Sequence, residues 1–279
     1  MKFLVQQQPA YVATSVAAGS AAGEIGFDPA KPTVVLIHGA AEDHSVWDAV
    51  LSQTEDKQAL KTVNLLAVDL PGHGQSFGQA KVSIEAYAEW LINLLDNGGI
   101  KTATLIGHSM GSLIALDVAR HHPKRVSALG LTGTAVPLPV SETVQQLVSA
   151  DVAAACEQLA RWNFYLRKNA DGSFPPPTRA MQTYRTLLAA ARPGVMTTDL
   201  AACAQYQLDD DAISAISVPT FILASEHDKM AAAAAAVSLC ERLPKATLTM
   251  LSGVGHAMMQ QAPVDVANWL ITMIESELP

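Results

Sequence analysis

Six short, largely apolar runs punctuate the chain: "PTVVLIH" (32–38), "VNLLAVDL" (63–70), "TATLIG" (102–107), "VSALGLTG" (126–133), "PTFILAS" (219–225) and "ATLTMLSG" (246–253). A strand wetted on one face alternates apolar with polar residues, whereas a continuous apolar run reads as a strand covered on both faces. Helical patterns separate the runs, at roughly 45–60, 84–97, 110–122, 231–242 and 263–277. Buried strands alternating with amphipathic helices predict a mostly parallel sheet with helices on both faces, an α/β fold. Ahead of them, "KFLVQQ" and "AYVATSV" are separated by Gln8-Pro9 and read as an opening β-hairpin, bringing the expected sheet to eight strands.

The alternation breaks once, between about 136 and 212. That region opens with "VPLPV", contains "FPPP", and carries helix-like segments around 141–167, 178–191 and 196–205 without a convincing strand. The expected organisation is therefore a core made of residues 1–135 and 213–279. A helical insertion, 136–212, would lie over the C-terminal edge of the sheet, where α/β folds bind ligands.

Composition narrows the function classes. With 279 residues, 49% of them apolar, the chain can bury a sizeable core. Its net charge of −8 lacks the basic patch that nucleic acid or an anionic membrane surface requires. Three scattered cysteines, Cys156, Cys203 and Cys240, read as free core thiols of a reducing compartment. "MKFLVQQQP" has too short an apolar stretch for a signal peptide, and no run is long enough to span a membrane. A soluble cytoplasmic protein, monomer or homodimer, is expected.

The chemistry concentrates at "LIGHSMGSL" (105–113), where Ser109 stands at a predicted strand-to-helix junction with Gly107 and Gly111 two residues to either side. A residue at so sharp a turn takes strained backbone angles, and glycines on both sides remove the side chains that would clash. The turn then lifts Oγ out of the sheet and sets the next N–H at a helix start. This is the G-x-S-x-G pattern in its required strand-turn-helix context. On its own, the five-residue match would equally describe a glycine-bounded turn with a helix-capping serine.

With "LIHGAAEDHSVW" (36–47), "VDLPGHGQS" (68–76), "SEHDKM" (225–230) and "GVGHAMM" (253–259), the sequence resembles the α/β-hydrolase fold family over nearly its whole length. Serine needs a base, and the base an orienting acid, which this family supplies in the order Ser, acid, His. The resemblance implies Ser109 as nucleophile, Asp228 as acid and His256 as base, with Glu226 as the alternative acid and His227 a solvated loop residue. It implies oxyanion N–H donors from Met110 and from Ala40, with Ala41 as the alternative. His38, Asp69 and His73 are then loop-bracing residues. "SGVGHA" suits a mobile loop. No proline follows the acid in "DKMAAAAAA", where relatives usually carry one or two.

A serine rather than an aspartate at the elbow argues against haloalkane dehalogenases and epoxide hydrolases. The chain is similar to small cap-bearing esterases, lactonases and carbon–carbon bond hydrolases. For the last, a more glycine-rich loop than "HGAAED" and a cap arginine (Arg161, Arg167 or Arg192) are expected, so ester or lactone hydrolysis ranks first. A perhydrolase or haloperoxidase without cofactor, and a small-molecule receptor on this fold, are the remaining alternatives. The expected pocket wall includes Trp162, Tyr165 and Met258, besides Phe164, Tyr184 and Tyr206. No metal or other cofactor is expected. The partner that the resemblance implies is a small-molecule ester or lactone.

Overall fold

The computed structural model describes residues 2–14, 27–54 and 57–277. Eight strands form one sheet: β1 (Lys2–Val5), β2 (Gln8–Thr14), β3 (Thr33–Ile37), β4 (Asn64–Val68), β5 (Ala103–His108), β6 (Val126–Thr132), β7 (Thr220–Ser225) and β8 (Ala246–Leu251). Their order is β1-β2-β4-β3-β5-β6-β7-β8, antiparallel at β1/β2 and β2/β4 and parallel from β4 onward.

The absence of polar alternation in β3 has the expected cause. Val35 and Ile37 enter one hydrophobic cluster, beneath the helices Ile84–Asn97 and Met110–His121. Val34 and Leu36 enter the other, with Trp47, Val50 and the apolar side of the C-terminal helix Pro263–Glu277. The strand order reverses direction between β3 and β5. The chain therefore leaves those neighbouring strands toward opposite sides and opens a crevice at their C-terminal ends.

Several boundaries differ from expectation. The hairpin turns at Gln6-Gln7, both at positive φ (50° and 65°), and Pro9 lies within β2 opposite Leu4. Residues 15 and 16 of the expected second strand lie outside the described residues. The expected helix 45–60 is broken into a 3-10 turn, His44–Trp47, and the one-turn helices Asp48–Leu51 and Gln58–Lys61. The expected 141–167 segment is two helices, Glu142–Ala150 and Val152–Asn163, divided at Asp151, whose carboxylate accepts from Ala154 N–H at 3.0 Å. The helices Arg179–Ala189, Val195–Gln205 and Asp210–Ser214 complete the path from β6 to β7, which contains no strand. The alanine run starts its helix late, at Ala233. Cys156 and Cys203 are buried free thiols and Cys240 is half-buried. Among the described residues no helix is long and apolar enough to cross a membrane.

Candidate active site

Ser109 occupies the turn between β5 and the helix Met110–His121 at φ 51°, ψ −116°, a left-handed conformation that is uncommon for any residue but glycine. Its surroundings hold it there. Ser109 N–H donates to Thr132 O (2.9 Å), and its own carbonyl accepts from Ser112 N–H (2.9 Å) and Ser112 Oγ–H (2.6 Å). The flanking glycines are required by contact. A Cβ on Gly107 would overlap the Gly111 carbonyl, and one on Gly111 would overlap the Ile37 carbonyl of β3.

β7 and β8 end on the same edge of the sheet. Asp228, in the turn after β7, is buried, and its Oδ1 accepts from Met230 N–H (2.8 Å) and Ala231 N–H (2.7 Å). The carboxylate thereby closes the loop that has no proline. Its Oδ2 accepts from His256 Nδ1–H at 2.7 Å. Burial disfavours the Asp228 charge, but His256 and the two backbone donors outweigh it and hold the pKa below the ordinary carboxylate value. Burial likewise pulls His256 down. The Asp228 charge and hydrogen bond, with Glu42 adding to them, raise it above the ordinary histidine value. Glu226 is exposed, which leaves Asp228 as the carboxylate on His256.

The loop bearing His256 is packed rather than free. Gly255 N–H and Tyr165 N–H both donate to Gln261 Oε1 (2.9 Å each), and Ala257 N–H donates to Asn163 O (2.8 Å). A Cβ on Gly255 would press on the Asn163–Tyr165 backbone at 2.6 to 2.9 Å. Gly133, at φ 56° after β6, lies under the imidazole; a Cβ there would stand 2.9 Å from His256 Cε1. His227, half-buried at the edge of a cleft, stacks on Tyr165 with ring centroids 3.7 Å apart and so also joins the loop to the insertion.

Ser109, His256 and Ala40 line one small cavity of about 40 Å³, together with Glu42, Asn163 and Tyr184 and an apolar wall that includes Leu159, Leu188 and Met196. Among the described residues nothing accepts from the N–H of Ala40 or of Met110. Ala41 N–H, in contrast, donates to Asp199 Oδ2 at 2.9 Å. His38 braces the loop after β3: its Nδ1–H donates to Gly39 O (2.8 Å) and its Nε2 accepts from Leu70 N–H (3.1 Å). Burial and the neighbouring His73 push His38 down to about 4, so the ring is neutral.

Trp162 and Tyr165 do not line that cavity. They lie on a neighbouring cleft of about 920 Å³ bordered by Arg161, Arg167, Phe174 and residues 226–229, Asp228 among them. Met258 is fully buried among Trp47, Leu270 and Ile274 and is core. Arg192 is held by the core, donating to Gly74 O (3.0 Å) and Ser76 O (2.8 Å). Two buried carboxylates at the site, Glu42 and Asp199, were invisible to sequence reasoning, since neither stands in a spacing that announces a partner. Asp43, His44 and Asp69 bring ligand atoms within 4.8 Å of one another. Those atoms are engaged in the turn, however: Asp69 Oδ1 accepts from His44 N–H and Nδ1–H, and Asp43 Oδ1 from Ser45 N–H and Oγ–H.

A mostly parallel eight-stranded sheet, a strained serine after its central strand and a paired Asp–His at the ends of later strands define an α/β hydrolase. The profile of the alpha/beta hydrolase family matches residues 34–269, and the chain belongs to that family. It is 28% identical over 254 residues to the pimeloyl-[acyl-carrier protein] methyl ester esterase of Aromatoleum aromaticum, a match spanning 85% of this chain and 96% of that protein. It is 35% identical over 129 residues to lipase LipV of Mycobacterium tuberculosis, covering 46% of this chain and 47% of the lipase. An esterase from Exiguobacterium antarcticum has the same fold, with a TM-score of 0.81 at 18% identity over 99% of both chains.

Proposed function

We propose that the protein hydrolyses small carboxylic esters or lactones through an acyl-enzyme on Ser109. The observation that carries this reading is the meeting of the strained Ser109, Ala40 and the Asp228-bound His256 around one cavity. The esterase and lipase relatives support the ester class. Residues 136–212 act as a cap over the site.

The substrate carbonyl oxygen lies between the N–H groups of Ala40 and Met110, the latter at the positive end of its helix. His256 Nε2 takes the Ser109 proton as Oγ attacks. Asp228, bound to Nδ1–H, fixes the tautomer and stabilises the imidazolium. His256 then protonates the departing alkoxide, and water activated by the same ring releases the acid. Ala41 is unsuited as second donor because its N–H is already held by Asp199.

The test is hydrolysis of p-nitrophenyl esters from acetate to decanoate. Ser109→Ala should lower kcat by roughly 10³-fold or more, as loss of a triad serine does. The narrow cavity beside Ser109 predicts acetate and butyrate ahead of decanoate. Turnover undiminished in Ser109→Ala would sink the mechanism, and a decanoate optimum would sink the assignment of that cavity to the acyl chain.

A further inference from the structure

The loop between β3 and the turn at His44 makes an unusual use of buried charge. Glu42 and Asp199 are 3% and 0% exposed, and among the described residues no lysine or arginine pairs with either of them. Each is instead saturated by directed donors. Glu42 Oε2 accepts from Gly39 N–H (2.7 Å) and pairs with His108 Nδ1 (3.2 Å), while Oε1 accepts from Tyr184 Oη–H (2.8 Å). Asp199 Oδ2 accepts from Ala41 N–H (2.9 Å) and His73 Nε2–H (2.7 Å), and Oδ1 accepts from Tyr87 Oη–H (2.6 Å). Burying a carboxylate costs several kcal/mol unless its lone pairs are filled this way, and hydrogen bonds to a charged acceptor are shorter and stiffer than neutral ones.

The two carboxylates grip alternate peptides of one turn. Glu42 takes the N–H before Ala40, and Asp199 takes the N–H after it, holding Ala41 at φ 58°. With both neighbours pinned, the N–H between them is the one left for the cavity shared with Ser109. Asp199 and Tyr184 both come from the helices between β6 and β7, so half of the grip reaches the loop from the insertion.

We propose that Glu42 and Asp199 are positioning residues that aim the Ala40 N–H at the developing oxyanion, so that the donor is in place only while the insertion is seated on the core. This rests on the serine-hydrolase reading above. Their effect is geometric, because a negative charge beside an oxyanion does not stabilise it. Displacing a reacting partner by about 1 Å costs on the order of 10²-fold in rate, and losing an oxyanion donor costs about 10²–10³-fold.

The experiment compares Glu42→Leu and Asp199→Leu, which remove the acceptors, with Glu42→Gln and Asp199→Asn, which keep one acceptor oxygen each. For each, kcat and KM on p-nitrophenyl acetate are measured with the affinity for an alkyl trifluoromethyl ketone, a mimic of the tetrahedral intermediate. The leucine variants should lose about 10²-fold in kcat, with KM within about threefold and the ketone weakened in parallel with kcat. The amide variants should show the same signature at about tenfold; they decide the matter if the leucine variants do not fold. Folded variants with unchanged kcat, or with kcat lowered while ketone affinity stays intact, would overturn the proposal. Ser109→Ala, run alongside, separates the failures. If it is inactive while all four variants match the wild type, the clamp alone is wrong; if it retains activity, the underlying mechanism is wrong.

Discussion

His256 sits between opposing influences on its proton, and their balance sets a measurable pH dependence. Burial favours the neutral ring, while Asp228 and Glu42 favour the cation, and the net effect is an upward shift. A general base must be neutral, so activity should be lost as pH falls through the raised pKa. The acid limb of kcat/KM is then expected above pH ~6.5, the ordinary histidine value. Asp228→Asn removes the main raising influence, so the limb should move to lower pH while kcat falls by up to about 10⁴-fold. A limb in the wild type below the ordinary histidine value, or one that Asp228→Asn leaves in place, would contradict the assigned pairing. At this scale the turn at Ser109 could be read from sequence because its flanking glycines are a local signature, whereas His256 was singled out only by the resemblance and its place after the last strand. Asp228 stood against Glu226 until burial and the 2.7 Å contact separated them.

Elements explain why the site is where it is. β3 and β5 are neighbours running parallel, and the helix after Ser109 crosses so close to β3 that only hydrogen fits at Gly111. Gly111→Ala would drive a methyl group into the Ile37 carbonyl. Because the obstacle is backbone, the helix itself must shift, at a cost of about 1–3 kcal/mol. Urea denaturation should show that loss, and esterase activity per folded molecule should fall further as the Met110 N–H moves. A variant of wild-type stability and activity would refute the close approach. The strands were legible because burial on both faces leaves a continuous apolar run, and the helices 84–97 and 263–277 because burial on one face writes itself into the spacing of apolar residues. The segment 45–60 was not. There Ser52 and Thr54 hydroxyls return to the carbonyls of Ala49 and Leu51, a local hydrogen-bonding alternative that competes with a continuing helix. Asp151 divided the next segment by the same kind of side-chain-to-backbone bond, as a cap.

Over the whole molecule, two hydrophobic clusters sandwich the sheet, and the second is anchored by Trp47, fully buried against the C-terminal helix region. Trp47→Ala should cost about 3–5 kcal/mol in chemical denaturation, since the surrounding backbone cannot collapse into so large a void. Since Trp47 lines neither cavity, kcat of the folded fraction should stay near wild type; a large loss of kcat at full folding would show that this core transmits strain to the site. The sequence alone determined the α/β layering, the helical interruption and the sharp turn at Ser109, because each is encoded over a few consecutive residues by apolar runs and periods or by the space glycine frees. Only the tertiary structure decided the rest. It joined Glu42 to Gly39 and Tyr184, set Asp199 on Ala41, and put Trp162 and Tyr165 on a different cleft from Ser109. Those outcomes depend on which distant side chains share a buried volume, and nothing in the local pattern of a carboxylate or an aromatic residue records the partner it meets there.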